Sequence, residues 1–259
     1  MRLPAVLAAF LSALLLAGST TAHATAHAAA YPVRDRVLTA NQLYSSGKLA
    51  PVRCRERTIT PDSAPRYLSA VLSCLNASWG AHFKRAGLPF TRARISFITK
   101  PRRYCGHAWD EAQAKYCFAE NRFLVLLDGD VLKDPSDLYL FNVVAHEYGH
   151  HVQNLTGMRR AYDLLPYRGK KELNEQARRM ELQAECLAGV FIGSVWKFLG
   201  RPAEDWYYLL ELNKRSGDEQ YKVRDHGKGV NMAAWLDRGF RASSPSACDT
   251  WSAPISQVS

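Results

Sequence analysis

A pair of histidines inside an apolar stretch constrains the fold of this chain more than any other feature. Residues 138–155 are mostly apolar and follow a helix-start signal at residues 134–136. His146 and His150 stand four positions apart in this stretch, so on a helix their rings project from one face. Polar groups buried on an apolar helix are costly unless they have a task. The sequence therefore predicts a helix that carries both imidazoles on one face.

The spacing of the two histidines suits a metal ion. Two neutral imidazoles at this spacing can reach one zinc ion at about 2.0–2.1 Å. Glu147 is rotated by roughly 100° around the helix from His146, where it can take a proton from a water that the metal activates. The pattern thus predicts a metal-dependent hydrolase with Glu147 as general base. The alternative is a polar helix face with two structurally satisfied histidines.

A catalytic zinc site with two histidines needs a third protein ligand. The metzincin class is excluded, because Gln153 and Thr156 stand where that class requires Gly and His. Glu181 lies in a second helical stretch, residues 172–198, and is the predicted third ligand. Glu185, one turn later, could accept the second N–H of a ligand imidazole. The alternative is that Glu181 is one of several solvated carboxylates on this helix.

Together these segments resemble the neutral zinc metallopeptidase family, a gluzincin-like group of bacterial proteins. The matching pieces are residues 105–106, 116–117, 146–153, 181–190, 226–227, 238–240 and 248–251. The resemblance implies a zincin-like active-site helix, one zinc ion per chain and a peptide or protein substrate. The chain departs from the family's usual pattern at Glu185, where an aspartate is common.

Three further side chains near these motifs need an interpretation. His226 precedes a glycine in a polar segment, and it is a candidate catalytic residue that donates a hydrogen bond to a developing oxyanion. The alternative for His226 is a surface or structural histidine. Tyr148 is predicted to lie in the core. His151 points about 100° away from its neighbour His150 and is not expected to share the metal.

The amino-terminal residues predict export. Residues 3–18 carry no charge and are fewer than the roughly 20 that a membrane span needs, and Ala-x-Ala sites follow before residue 31. We therefore expect a secretory signal peptide at 1–30 and a metallopeptidase-like domain at 31–259. The protein would be secreted or associated with the cell wall, with no stable membrane anchor. The alternative is an uncleaved anchor.

Six cysteines in an oxidising compartment predict disulfides. Cys105 and Cys117 are the pair most expected to meet, because only a short loop separates them. The alternative makes these two cysteines, with His107, ligands of a structural zinc. Six cysteines allow fifteen connectivities, and Cys54–Cys74 and Cys186–Cys248 follow by elimination only.

The order of periodic segments predicts an α+β fold: a mostly helical single domain with a small antiparallel or mixed sheet. A helix is expected from residue 62 to a stop at 87–89, and strands at 94–98 and 123–127. Further helices are expected at 138–155, 172–198, 203–214 and 231–240. The basic segment 157–171 is expected to connect two of them.

The positive net charge of the chain indicates which kinds of partner it would attract. A formal net charge of +10 favours anionic surroundings, such as an anionic cell-envelope polymer, a lipid headgroup or nucleic acid, and charge alone does not choose among them. No phosphate-binding loop or nucleic-acid module is visible, so no specific nucleic-acid binding is expected. Five basic side chains after the metal helix form either a solvated loop or a rim for an anionic substrate: Arg159, Arg160, Arg168, Lys170 and Lys171.

The leading hypothesis is an exported zinc metallopeptidase. The alternatives are a zinc hydrolase of cell-wall peptide or amide bonds and an inactive protein that binds an anionic polymer.

Overall fold

The computed structural model describes residues 33–54, 59–109, 112–133 and 137–259. The predicted signal peptide at 1–30 and the helix-start signal at 134–136 lie outside the described residues. The described chain is mostly helical and carries a small mixed sheet. The predicted α+β fold class is therefore confirmed.

The helices and strands have the following bounds. The helices are α1 (Arg36–Thr39), α2 (Ala64–Ala86), α3 (Gly129–Lys133), α4 (Asp137–Leu155), α5 (Met158–Asp163), α6 (Lys170–Leu199), α7 (Ala203–Lys214) and α8 (Gly229–Ala242). The strands are β1 (Arg94–Ile98), β2 (Ala114–Cys117) and β3 (Arg122–Leu126). Short 3-10 turns occupy Gln42–Ser45, Pro61–Ser63, Asp218–Gln220, Pro245–Ala247 and Ile255–Gln257.

Helices α1 and α3 were not predicted from the sequence, and two further elements lie in segments that were expected only to be connections. Strand β2 lies in the segment that was expected to be a loop between two cysteines, and it pairs antiparallel with β3, while β1 pairs parallel with β3. Helix α5 lies in the basic segment 157–171 that was expected only to connect two helices. Both elements are too short to show a clear period, with four and six residues respectively.

Helix α6 lies at the centre of the core and contacts both α4 and α8 closely. A Cβ atom on Gly149 of α4 would lie 2.6 Å from the carbonyl oxygen of Ala184, and one on Gly189 would lie 2.1 Å from that of Leu236. Glycine at both positions lets the helix backbones approach. By length and composition α6 could cross a membrane, but 78% of its apolar window is buried inside the fold. Its apolar residues therefore build the core.

All six cysteines form pairs at disulfide distance. Cys105 pairs with Cys117 at a Cα–Cα distance of 5.5 Å, as the spacing predicted, rather than binding a structural zinc with His107. The other pairs are Cys54–Cys74 at 5.8 Å and Cys186–Cys248 at 5.5 Å. The last pair ties the carboxyl-terminal tail to α6.

A buried arginine fixes the same tail to α6. Arg179 is fully buried, forms an ion pair with Glu175 at 3.0 Å and donates to the carbonyls of Thr250, Trp251 and Ala253. These charge-assisted hydrogen bonds attach the tail to α6 in addition to the Cys186–Cys248 pair.

Candidate metal centre

Helices α4 and α6 bring three potential metal ligands to one point. His146 and His150 project from α4 and Glu181 from α6. The Oε2 atom of Glu181 lies 3.3 Å from Nε2 of His146 and 3.2 Å from Nε2 of His150. One donor atom from each residue lies within 4.8 Å of the others. Two imidazoles and one carboxylate form a ligand set of catalytic zinc sites, so these residues fit a zinc ion.

The second nitrogen of each imidazole is also held. Nδ1 of His146 lies 2.7 Å from Oε2 of Glu185, and the side-chain amide of Asn142 donates to the other oxygen of that carboxylate at 3.2 Å. Nδ1 of His150 lies 2.9 Å from Oε1 of Gln153. Such hydrogen bonds fix the tautomer and the orientation of ligand imidazoles. The carboxylate of Glu185 therefore reaches His146, as the sequence analysis considered for this residue.

A buried amide network extends behind His150. The side-chain amide of Gln153 donates to the carbonyl of Met180 at 2.7 Å and to Oε1 of Gln183 at 3.1 Å. Gln183 donates in turn to the hydroxyl of Tyr44 at 2.7 Å and to the carbonyl of Cys248 at 3.1 Å. The sequence analysis did not assign Gln153 or Gln183 to the site. The signal that could have indicated their role is that two amide side chains occur on otherwise apolar helix surfaces. The network links α4, α6 and the disulfide-bonded tail.

Glu147 and the three potential ligands line one cavity. Its side chain is buried, and its Oε2 atom has no hydrogen-bond partner within the described ranges. Burial raises the pKa of Glu147 above the ordinary carboxyl value, and the imidazoles of His150 and His146 oppose that shift. An unpartnered carboxylate oxygen beside the ligand set is suited to accept a proton.

His226 reaches the ligand set from the loop before α8. Its Nδ1 lies 2.7 Å from Oδ1 of Asp225, and its Nε2 lies 3.8 Å from Oε2 of Glu181. Burial lowers the pKa of His226, but the hydrogen bond with Asp225 and the charge of Glu181 raise it to about 9. Asp218 anchors the loop by accepting from the backbone N–H groups of His226 and Gly227 at 3.0 and 2.9 Å. The catalytic role of His226 stays a prediction.

The ligand set opens into a cavity of about 560 Å³. The ligands and Glu147 line one part of it, and Phe118, Tyr162 and Met180 line another. Of the five basic residues after α4 considered above, Arg159 is the one that lines this cavity. The cavity therefore combines an inner wall, which carries the ligand set, with a rim that carries Arg159 and His226 beside the aromatic rings.

Two neighbours of the motif have structural roles. His151 is fully buried, with Nδ1 at 2.7 Å from the Tyr116 hydroxyl and Nε2 at 2.7 Å from the Thr91 carbonyl oxygen. Burial lowers the pKa of His151 to about 4. The hydroxyl of Tyr148 donates to Asn76 at 3.0 Å inside the core. Tyr148 therefore lies in the core, as the sequence predicted, and His151 hydrogen-bonds to Tyr116 and Thr91.

Comparison with known proteins agrees with the chemistry of the site. A family model described as "Putative neutral zinc metallopeptidase" matches residues 34–251, so the chain belongs to this zinc metallopeptidase family. The chain is similar to the uncharacterized protein YpfJ of Escherichia coli (strain K12), with 28% identity over 218 residues, 77% of this chain and 76% of YpfJ. It is also similar to the uncharacterized protein Rv2575 of Mycobacterium tuberculosis, with 31% identity over 137 residues, 43% of each chain. No solved structure matches the chain.

Proposed function

We propose that this protein is an exported, zinc-dependent metallopeptidase that hydrolyses peptide bonds. The observation that carries the proposal is the convergence of His146, His150 and Glu181 beside the unpartnered carboxylate oxygen of Glu147. Membership of a zinc metallopeptidase family supports both the metal and the peptide substrate.

The three convergent side chains would hold one zinc ion per chain. Glu185 and Gln153 would orient His146 and His150, because each accepts from the nitrogen that faces away from Glu181. When bound, zinc supplies Lewis-acid polarisation of the substrate carbonyl and lowers the pKa of water. The remaining chemistry belongs to the side chains of the protein.

Glu147 would move the proton during hydrolysis. Its Oε2 atom takes a proton from the attacking water, and the resulting carboxyl group donates that proton to the leaving amide nitrogen. His226 would donate a hydrogen bond from Nε2 to the carbonyl oxygen as negative charge develops there. Asp225 stabilises the imidazolium form of His226 by accepting from Nδ1, which leaves the Nε2 proton for the substrate.

Export is the second part of the proposal. The uncharged segment 3–18 with its following Ala-x-Ala sites supports a signal peptide. Three cysteine pairs at disulfide distance support an oxidising compartment, where such bonds persist. The net charge of +10 suits an anionic cell-envelope polymer as surroundings.

A peptide-library digestion with zinc-loaded protein tests the proposed activity. Chelation should abolish cleavage, and Glu147→Gln should keep the zinc but lose about 10²–10⁴-fold in turnover, because an amide cannot accept the proton. Glu211→Gln is the matched control, since it makes the same change at an exposed carboxylate on α7 that pairs with Lys214.

Two results would contradict the proposal in different ways. Near-wild-type cleavage by zinc-loaded Glu147→Gln would show that the assigned base is wrong. A zinc-loaded wild-type protein that cleaves no peptide would show that the substrate class is wrong, and cell-wall amides would be tested next.

A further inference from the structure

We infer that the cavity selects substrates that carry a carboxylate group, and that Arg159 binds this carboxylate. The inference rests on the proposed peptidase function and names its substrate class. The carboxylate belongs either to an acidic side chain near the scissile bond or to the free carboxyl terminus of a peptide.

Arg159 lies close enough to the ligand set to contact the same substrate. Its guanidinium carbon is 4.1 Å from the centroid of the Phe118 ring, and that centroid is 6.2 Å from the centroid of the His150 ring. The sum of these two distances is the upper limit of the separation, so the guanidinium carbon lies within about 10 Å of the centre of the His150 ring. An extended peptide advances about 3.3 Å per residue. A carboxylate within a few residues of the scissile bond can therefore reach Arg159.

The guanidinium is held in place and keeps a donor for a ligand. Asp163 accepts from Nε at 2.9 Å and pairs with Nη2 at 2.8 Å, while the faces of Phe118 and Tyr162 lie 4.1 and 5.5 Å from the guanidinium carbon. Nη1 has no hydrogen-bond partner in the part of the chain that the structure describes. An arginine fork binds carboxylates through two parallel N–H donors. Asp163 occupies one edge of the fork, and the edge formed by Nη1 and Nη2 stays available.

The other cations of the cavity are engaged elsewhere. The Nζ atom of Lys115 donates to the carbonyl of Ala108 at 3.0 Å and lies 5.8 Å from the Trp109 ring. His226 hydrogen-bonds to Asp225 and faces the ligand set. An exposed ion pair within a helix contributes little to the stability of a protein. The main effect of the pair between Arg159 and Asp163 is therefore to fix the position of the guanidinium.

Peptide binding to zinc-loaded Glu147→Gln protein tests the inference without turnover. The probes are acetylated, carboxyl-amidated hexapeptides in which one position at a time is Glu or Gln, together with one uncharged hexapeptide as free acid and as amide. At one position Glu should bind about tenfold or more tighter than Gln, the range expected of a charged hydrogen bond. If the free acid instead binds tighter than the amide, the carboxyl terminus is the recognised group.

The guanidinium is then removed. Arg159→Gln lacks the group that lies over Phe118 and should abolish the preference for the carboxylate, while Arg160→Gln, on the exposed neighbouring residue, should keep it. Arg159→Lys, which retains charge without the fork, should recover part of the preference. No carboxylate preference in the parent protein, or a preference that survives Arg159→Gln, would overturn the inference.

Kinetics separate this inference from the proposed function. In a protein with active Glu147, Arg159→Gln should raise KM for acidic peptides at least tenfold and change kcat little, because ground-state binding is lost. Equal cleavage of acidic and neutral peptides by wild type and by Arg159→Gln would overturn the inference and leave the peptidase function standing. Binding that depends on Arg159 in a protein that cleaves nothing would support carboxylate recognition and contradict the peptidase.

Discussion

The inner wall of the cavity and its rim are built from different kinds of structure. The inner wall consists of His146, His150 and Glu181, which stand on two long packed helices and have buried partners behind both imidazoles. The rim consists of Arg159 on the six-residue helix α5 and His226 on a loop, with side chains 33% and 52% exposed. The geometry of the candidate metal ligands is thus fixed by the core, whereas the two groups proposed to contact the substrate stand on short elements at the surface.

Removing His226 tests whether the rim acts in catalysis without helping to hold the metal. His226→Ala should lower kcat by about 10²–10³, the loss typical of one oxyanion donor, and leave the zinc content unchanged. His107→Ala is the matched control, because His107 also lines the cavity and is exposed. Loss of zinc in His226→Ala, or an equal fall in kcat in the control, would contradict the division between wall and rim.

Removing the side-chain amide of Gln153 tests whether the inner wall, unlike the rim, helps to hold the metal. Gln153→Ala should weaken zinc binding by about 10–100-fold, because the imidazole loses the acceptor that orients it. A chelator-competition titration measures this affinity. Gln176→Ala provides the comparison, since Gln176 is a buried amide on α6 that donates to the Pro166 carbonyl instead. Equal zinc affinities in the two variants would show that Gln153 only fills space.

The smallest effect concerns the contact between the two helices of the inner wall. Gly149→Ala places a Cβ atom 2.6 Å from the Ala184 carbonyl oxygen, so the free energy of unfolding should fall by about 1–3 kcal/mol. Chemical denaturation of the zinc-free protein measures the change. Gly129→Ala, at the first residue of α3, meets nothing within 4 Å and should not lower the free energy of unfolding. Unchanged stability in Gly149→Ala would mean that α4 and α6 can move apart freely.

The contrast between wall and rim also explains what the sequence could predict. The four-residue spacing of His146 and His150 and the position of Glu181 in a second helical stretch predicted three residues that the structure brings together. Helical periodicity extends over many residues there, so the facing side chains follow from geometry. Helical periodicity also predicted a helix at residues 203–214, and the structure has α7 at Ala203–Lys214.

The rim and the backing network could not be predicted in the same way. Five basic residues follow the metal helix, and the short helix α5 decides that Arg159 lines the cavity. Gln153 and Gln183 carry no charge, and their importance depends on which helices pack together. Strand β2 has four residues and gains its order from pairing with β3. Each of these features depends on tertiary contacts between distant parts of the chain.

Zinc content and zinc K-edge absorption of the purified protein test most directly the claim that α4 and α6 hold one metal ion. The account predicts about one zinc per chain, bound by two imidazoles at about 2.0–2.1 Å and by carboxylate oxygen. It also predicts that His150→Ala loses most of this zinc, while His151→Ala, whose histidine hydrogen-bonds away from the site, keeps it if folded. Full zinc content in His150→Ala, or sulfur among the ligands, would contradict the account.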